Sequence, residues 1–208
     1  MKISKTFATV IVVFACVGVV SLSRLFFSLK LIDSHAASAR AKGNPGAKIR
    51  IIEYLDFQCP ACARGAIILR EQMKRHPDDI YLEVRYYPIT TIHEHTLKAT
   101  MFAECAARQN KFWAFQDSLV SQQAYWSKSM NPTQLFRQIA VQSGVNMQKL
   151  NVCLEDSTVT KTILGEKSKG KVAGVNSTPT YFVNGKMFVG PKPLTEELGR
   201  ILGTKDVE

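Results

Sequence analysis

Two cysteines stand three positions apart in the segment Cys59-Pro-Ala-Cys62. The residues before them, 49–57, begin with apolar, β-branched side chains and predict a buried strand, and residues 63–75 have a helical composition. Cys59 therefore lies where a strand passes into a helix, with Pro60 at the first helical position that proline favours. The unpaired N–H groups and the dipole of a helix N-terminus stabilise negative charge, so we expect the pKa of the Cys59 thiol to fall below its free value of about 8.5.

This pattern is typical of dithiol redox chemistry. A thiolate is the species that attacks a disulfide, so Cys59 is the predicted nucleophile. Cys62 lies about one helical turn further on and is the predicted resolving thiol. A zinc half-site normally needs a second ligand pair, and a structural disulfide in so short a ring would constrain little of the unfolded chain. The strand-to-helix context favours redox chemistry over both alternatives.

The histidines give little support to a metal site. His93 and His95 flank Glu94 at the start of a helical region. Metal sites need more than two convergent groups, so packing or capping at a helix start is the favoured interpretation of this pair. No metal ligand and no organic cofactor are predicted.

Length and composition favour one globular domain. The chain has 208 residues, of which 46% are hydrophobic and 21% are charged, and this excludes disordered and fibrous classes. The formal net charge is +10, but the first 42 residues hold six basic side chains against one acidic side chain. The remaining basic residues are dispersed, so the charge does not predict binding to nucleic acid.

The N-terminus has the pattern of a targeting or anchoring segment. Lys2 and Lys5 precede the uncharged apolar run 7–22, and this order is typical of a secretory signal. An uncleaved membrane anchor would extend to Leu29, which is long enough for the roughly 20 residues that a bilayer requires. Residues 1–30 are therefore predicted to be a signal or a membrane anchor. Both interpretations predict an exported protein on the periplasmic or extracytoplasmic side.

The rest of the chain divides into a linker and one domain. Residues 31–47 are small, polar and contain glycine and proline, which predicts a linker and places the folded domain at 48–203. A second core strand is predicted over 81–89, followed by a helical region over about 93–171. Two short apolar runs around Asn184-Gly185 predict a β-hairpin.

The sequence resembles the DsbA-like thiol-disulfide oxidoreductases of the thioredoxin fold. The resemblance covers about residues 48–203 and is carried by three segments: Glu53-Tyr-Leu-Asp-Phe-Gln-Cys-Pro-Ala-Cys62, Ala106-Ala-Arg-Gln-Asn-Lys-Phe-Trp113 and Ser177-Thr-Pro-Thr-Tyr-Phe-Val-Asn-Gly185. It implies an α/β, thioredoxin-like fold with an inserted helical domain. It also implies a catalytic cis-proline at Pro179 and a substrate-binding backbone at Thr178 and Pro179.

The resemblance gives Glu53 the role of a buried acid that relays a proton to the resolving cysteine. From the residues alone, a carboxylate in an apolar strand either has a raised pKa or finds a partner. The alternative is an exposed or salt-bridged side chain at a sheet edge.

Cys105 and Cys153 are predicted to form a structural disulfide between two helices of the insertion. Free thiols beside a reactive disulfide would be a liability in an exported protein. The alternative is a pair of buried thiols, because free cysteine also packs as a small apolar residue.

These observations predict an exported enzyme, a protein dithiol-disulfide oxidoreductase. It would pass a disulfide from Cys59 and Cys62 to thiol-containing substrate proteins, and a membrane redox partner would re-oxidise it. A disulfide reductase or isomerase of the same fold remains open, as does a metal-binding thioredoxin-like module.

Overall fold

Two parallel strands form the centre of the sheet in the computed structural model, which describes residues 38–203. β2 (Ile49–Leu55) and β3 (Ile80–Tyr86) pair in register from Ile49 opposite Ile80 to Leu55 opposite Tyr86. Every second residue of each strand is buried, while the residues between them are half-buried or exposed. The strands therefore have one fully covered face and one partly covered face, whereas residues 49–57 had predicted a strand that is buried throughout.

A hairpin extends the sheet on the other side of β2. β4 (Thr180–Val183) pairs with β2 in antiparallel orientation, and β5 (Lys186–Val189) pairs with β4. The turn between them consists of Asn184 at φ 48° and Gly185 at φ 83°, the left-handed conformations that asparagine and glycine adopt most readily. The hairpin prediction is confirmed.

The other edge of the sheet corrects the predicted linker. Residues 31–47 were expected to lie outside the domain, but Ala41–Gly43 form a strand, β1, that pairs with β3 in antiparallel orientation. The sheet order is thus β1-β3-β2-β4-β5. A three-residue strand with a lysine and a glycine has too little periodicity to be recognised, and its pairing is fixed by the tertiary structure instead. The predicted signal or anchor at residues 1–30 lies outside the described residues.

Eight helices surround the sheet over residues 38–203: α1 (Pro60–Arg75), α2 (Thr96–Ala107), α3 (Phe112–Ser121), α4 (Gln123–Trp126), α5 (Thr133–Gln142), α6 (Met147–Glu155), α7 (Ser157–Val172) and α8 (Pro191–Leu202). None of these helices has the length and apolar character needed to cross a membrane. Helices α2 to α7 form one uninterrupted helical block between β3 and β4. The fold is α/β and thioredoxin-like, with the inserted helical domain that the sequence predicted.

Close contacts at two glycines show that helices cover both faces of the sheet. Gly65 of α1 lies against Tyr181 and Glu53, whereas Gly170 of α7 lies against Tyr54. Glu53 and Tyr54 are neighbours in β2, so their side chains point to opposite faces. α1 and α7 therefore pack on opposite sides.

The core of the insertion is aromatic, and a disulfide crosses its edge. Phe112, Phe115 and Trp126 are fully buried. Cys105 of α2 and Cys153 of α6 are bonded to each other, with a Cα–Cα distance of 5.8 Å.

Candidate active site

The first cysteine of the pair caps a helix. Cys59 has an extended backbone, with φ −74° and ψ 120°, and α1 begins at the next residue, Pro60. The Cys59 side chain is 8% exposed, and its Sγ lies 3.4 Å from the carbonyl oxygen of Thr178. The strand, the turn and the helix thus place Cys59 beyond the carboxyl end of β2, against the loop that precedes β4.

Hydrogen bonds around Cys59 stabilise its thiolate. The Cys62 thiol makes the largest contribution, and burial opposes it. The backbone N–H groups of Cys62 and Ala61, in the first turn of α1, and the Thr178 side chain add to the effect. Together they lower the pKa of Cys59 to about 5. The helix N-terminus therefore contributes as predicted, although the neighbouring thiol contributes more.

Cys62 has the opposite electrostatic environment. It is 4% exposed, and the backbone N–H of Asp56 approaches its Sγ at 3.4 Å. Burial raises the pKa of the Cys62 thiol well above its usual value, and the neighbouring Cys59 and Glu53 raise it further. At neutral pH the pair therefore consists of one thiolate and one thiol, and only Cys59 is a nucleophile.

Glu53 is a buried acid beneath the pair. Its side chain is fully buried in β2, and burial raises its pKa to about 8, which the Tyr181 hydroxyl opposes in part. Neither carboxyl oxygen has a partner within hydrogen-bond geometry among the described residues. A carboxyl with this pKa can both give and take a proton near neutral pH. The alternative of a solvated or salt-bridged Glu53 does not fit this environment.

Thr178 and Pro179 lie across from the cysteines. The peptide bond between them is cis, and the Thr178 carbonyl oxygen is the one that contacts Cys59. The structure therefore brings Cys59, Cys62, Glu53 and Thr178 together at one end of the sheet. Cys105 and Cys153 are joined within the insertion instead.

Asp56 is a site residue whose importance the sequence did not indicate. Its buried carboxyl contacts the backbone N–H groups of Gln58 and Ile89, the Thr96 hydroxyl and Nδ1 of His93, the last at 2.9 Å. It thus ties the loop that carries Cys59 to the start of the helical insertion. No local sequence pattern reveals a carboxyl that joins segments 40 residues apart.

The predicted histidine pair has a structural role. His93 contacts Asp56, while the backbone N–H of His95 donates to the Gln58 side chain at 2.7 Å. Over residues 38–203 no group of three histidine, cysteine or acidic side chains is arranged to hold a metal ion.

The pH dependence of alkylation tests the electrostatics of Cys59. We expect the rate of reaction of the reduced protein with iodoacetamide to rise with a midpoint at about pH 5, because only the thiolate reacts. In a Cys62→Ser variant a hydroxyl replaces the thiol that donates to Cys59. Because this variant keeps only one sulfur of the pair, the alkylation that remains there is that of Cys59. A midpoint near the free value of about 8.5 would contradict the assignment.

Gly65 is the helix position that allows Tyr181 to approach Glu53. A Cβ added at Gly65 would lie 1.9 Å from the Tyr181 hydroxyl oxygen, and the ring is fully buried. Gly65→Ala should therefore lower the free energy of unfolding by about 1–3 kcal/mol, measured by urea denaturation. Gly165→Ala is the matched control, because Gly165 lies inside α7 with no atom within 4 Å of the added Cβ. There we expect stabilisation by about 0.5–1 kcal/mol, and equal effects at the two positions would contradict the close contact.

Comparisons with known proteins agree with this geometry. A family model described as thioredoxin matches residues 36–202. A putative protein-disulfide oxidoreductase of Rickettsia bellii is 30% identical over 147 residues, which is 69% of this chain and 56% of that protein. A crystal structure of a thioredoxin-like oxidoreductase from Silicibacter pomeroyi superimposes with a TM-score of 0.64 at 26% identity, and covers 79% of this chain and 92% of that one.

Other relatives are much longer than this chain. The Na(+)/H(+) antiporter NhaA 1 of Mycolicibacterium gilvum is 29% identical over 152 residues, which is 72% of this chain and 24% of the antiporter. The chain thus spans about a quarter of the length of such relatives. Taken with the fold and the cysteine pair, the match to the thioredoxin family model over most of the chain shows that this chain belongs to the thioredoxin family.

Proposed function

We propose that the protein donates disulfides to reduced substrate proteins in an extracytoplasmic compartment. The observation that carries this proposal is the asymmetry of the cysteine pair, with the pKa of Cys59 at about 5 and that of Cys62 raised. Stabilising the Cys59 thiolate stabilises the reduced form relative to the disulfide. A disulfide whose reduced form is stabilised is a strong oxidant.

The proposed reaction has two exchange steps. A substrate thiolate attacks Cys59 Sγ of the Cys59–Cys62 disulfide, and Cys62 leaves and takes a proton from Glu53. A second substrate thiolate then attacks the substrate sulfur of the mixed disulfide, and Cys59 leaves as a stable thiolate. Two electrons pass from the substrate to the protein. The two substrate thiols release two protons to solvent. Glu53 takes one proton back from solvent, so each turnover releases one proton in net.

The substrate segment is proposed to bind along the loop before β4. The Thr178 carbonyl oxygen lies 3.4 Å from Cys59 Sγ, so a chain joined to this sulfur passes beside the backbone of Thr178 and Pro179. Backbone hydrogen bonds there would accept many sequences, because they do not depend on substrate side chains.

Export and re-oxidation are parts of the same proposal. The basic and apolar residues at 2–22 support export, either by a cleaved signal or by an anchor. A disulfide donor needs an oxidant after each turnover, and we assign this role to a membrane redox protein.

A redox titration against glutathione tests the direction of transfer. We expect a reduction potential of the Cys59–Cys62 pair less negative than about −200 mV, and oxidation of a dithiol peptide by the disulfide form. A potential near the thioredoxin value of about −270 mV would assign the protein to the reductases. Reshuffling of scrambled disulfides without net oxidation would assign it to the isomerases. Metal retention by the reduced protein with no exchange activity would favour a metal-binding module, and Cys59→Ala is the inactive control.

A further inference from the structure

The loop that carries Cys59 is bound along its length by the helical insertion. Asp56 and Gln58 contact residues at the start of α2, and Gln58 Nε2 also donates to the carbonyl oxygen of Ser127, directly after α4, at 3.3 Å. The other two residues of the loop, Phe57 and Cys59, are bound through their carbonyl oxygens. All of these loop residues are therefore hydrogen-bonded to the insertion.

One side chain makes both of the carbonyl contacts. Gln123 of α4 donates from Nε2 to the Phe57 carbonyl oxygen at 2.7 Å and to the Cys59 carbonyl oxygen at 3.0 Å. Gln123 is 8% exposed and Phe57 is 1% exposed, so bulk water is largely excluded from these contacts. The side-chain amide of glutamine has two N–H groups, and here both are used on the loop. Gln123 thus fixes the orientation of two peptide groups beside the nucleophile.

We propose that Gln123 is a positioning residue through which the insertion stabilises the reduced form of the cysteine pair relative to the disulfide. The inference deepens the proposed function and rests on it for its purpose, because a pair whose reduced form is stabilised is a stronger oxidant. The contacts of Gln123 are to the loop backbone. It therefore acts through the position and the partial charges of the groups around Cys59.

Electrostatics makes this contact sensitive to the redox state. The Cys59 sulfur is a thiolate in the reduced protein at neutral pH, and it is uncharged in the disulfide. The carbonyl oxygen of the same residue carries partial negative charge, and the Gln123 N–H offsets part of it. In a largely buried site such interactions are only weakly screened. The Gln123 amide therefore stabilises the charged, reduced form and has little electrostatic effect on the disulfide.

The geometry of the helix start acts in the same direction. The Cys59 carbonyl oxygen also accepts from the backbone N–H of Ala63 at 3.2 Å, and this bond closes the first turn of α1. The backbone N–H groups of Ala61 and Cys62 in that turn stabilise the thiolate. By holding the Cys59 carbonyl group, Gln123 keeps these N–H groups aligned with the sulfur.

Gln123→Met tests the proposal, because it removes both N–H groups and leaves the length of the side chain nearly unchanged. We expect the reduction potential of the Cys59–Cys62 pair, measured against glutathione, to become about 30 mV more negative, which is a tenfold change in the redox equilibrium constant. The pH midpoint of Cys59 alkylation should rise by about one unit, which is the same tenfold change.

Stability in the two redox states separates positioning from a merely structural role. The unfolded chain lacks the Gln123 contact, so the change in potential must equal the difference between the stability losses of the reduced and oxidised proteins. In urea denaturation we expect Gln123→Met to destabilise the reduced protein more, by a further factor of about ten in its unfolding equilibrium constant. A structural role alone would destabilise both forms equally and leave the potential unchanged.

Gln72→Met is the matched control. Gln72 is a buried glutamine in the last turn of α1, and its Oε1 has no hydrogen-bond partner among the described residues. Its replacement should leave the potential and the alkylation midpoint unchanged and should affect both redox forms equally. If Gln123→Met does not fold, Gln123→Asn decides, because it keeps the amide but is one methylene group too short to reach both carbonyl oxygens. We expect it to shift the potential in the same direction.

The outcomes distinguish this role from the proposed function. If the variant of Gln123 has the wild-type potential and alkylation midpoint, or destabilises both redox forms equally, the positioning role is wrong, even when the protein donates disulfides. If the protein proves to be a reductase or an isomerase and the variant still makes the potential more negative, the positioning role stands and only its assigned purpose fails.

Discussion

Lowering the pH from 7 to 4 should destabilise the reduced protein by about 3 kcal/mol more than the disulfide form. The Cys59 thiol titrates at about 5 in the native reduced protein and at about 8.5 in the unfolded chain. Each unit of difference in pKa corresponds to about 1.4 kcal/mol. A pH of 7 lies about two units above the pKa of Cys59 in the native protein, whereas the Cys59 thiol of the unfolded chain is still protonated at this pH. The disulfide form has no such group, so the difference between the two forms isolates the Cys59 term.

The sign follows from the lowered native pKa. A group whose pKa is lowered by folding contributes its full stabilisation above the unfolded value and loses it as the pH falls through the native value. The loss is therefore expected between pH 7 and about 5. Cys62 adds nothing over this range, because its raised pKa keeps it protonated in both states.

Urea denaturation of the reduced and oxidised proteins at pH 7 and pH 4 provides the measurement. The comparison across pH removes the contribution of the disulfide cross-link, which does not titrate. In a Cys59→Ala variant the extra pH dependence of the reduced protein should disappear. Equal pH dependence of the two wild-type forms would contradict the thiolate assignment and remove the main support for an oxidising role.

Much of this site could be predicted because its key residues lie within single elements. The strand 49–55, the cysteine pair and the helix after Pro60 are adjacent in the chain, so their geometry follows from local rules of helix capping and strand periodicity. The hairpin at Asn184-Gly185 has a turn whose backbone only a few residues adopt easily. These signals, together with the family resemblance, predicted the fold correctly. They also identified the two segments that form the site, one with Cys59 and Cys62 and the other with Thr178 and Pro179.

The remainder depends on contacts between distant segments. Asp56 joins the cysteine loop to His93, and Trp113 and Gln116 line one cavity together with Glu53. No periodic pattern in the sequence indicates either arrangement, because each forms only when separate elements pack together. The strand β1 was missed for the same reason, since it is held by its pairing with β3 rather than by its own three residues.

Arg40 is the clearest example of such a long-range contact. It lies within residues 31–47, the segment that the sequence analysis placed outside the folded domain. Its side chain is fully buried. Nη1 and Nη2 each donate to a Glu166 oxygen at 2.7 Å, and the guanidinium lies 4.2 Å from the centre of the Tyr86 ring. Burial alone would raise the pKa of Glu166, but the Arg40 hydrogen bonds hold it below its usual value. Arg40 thus joins the N-terminal edge of the domain to α7 and β3.

Arg40→Met should lower the free energy of unfolding by about 3–5 kcal/mol, because it leaves the buried Glu166 carboxylate without its main counter-charge. Urea denaturation at pH 7 gives the value directly. Arg40→Met combined with Glu166→Leu should recover more than half of the loss, since a buried ion pair can be replaced by apolar side chains at little cost. Arg200→Met is the surface control, because Arg200 is exposed where it pairs with Glu197 and its loss should have little effect on the free energy of unfolding. If Arg40→Met costs no more than this control, the buried pair does not anchor the N-terminal edge.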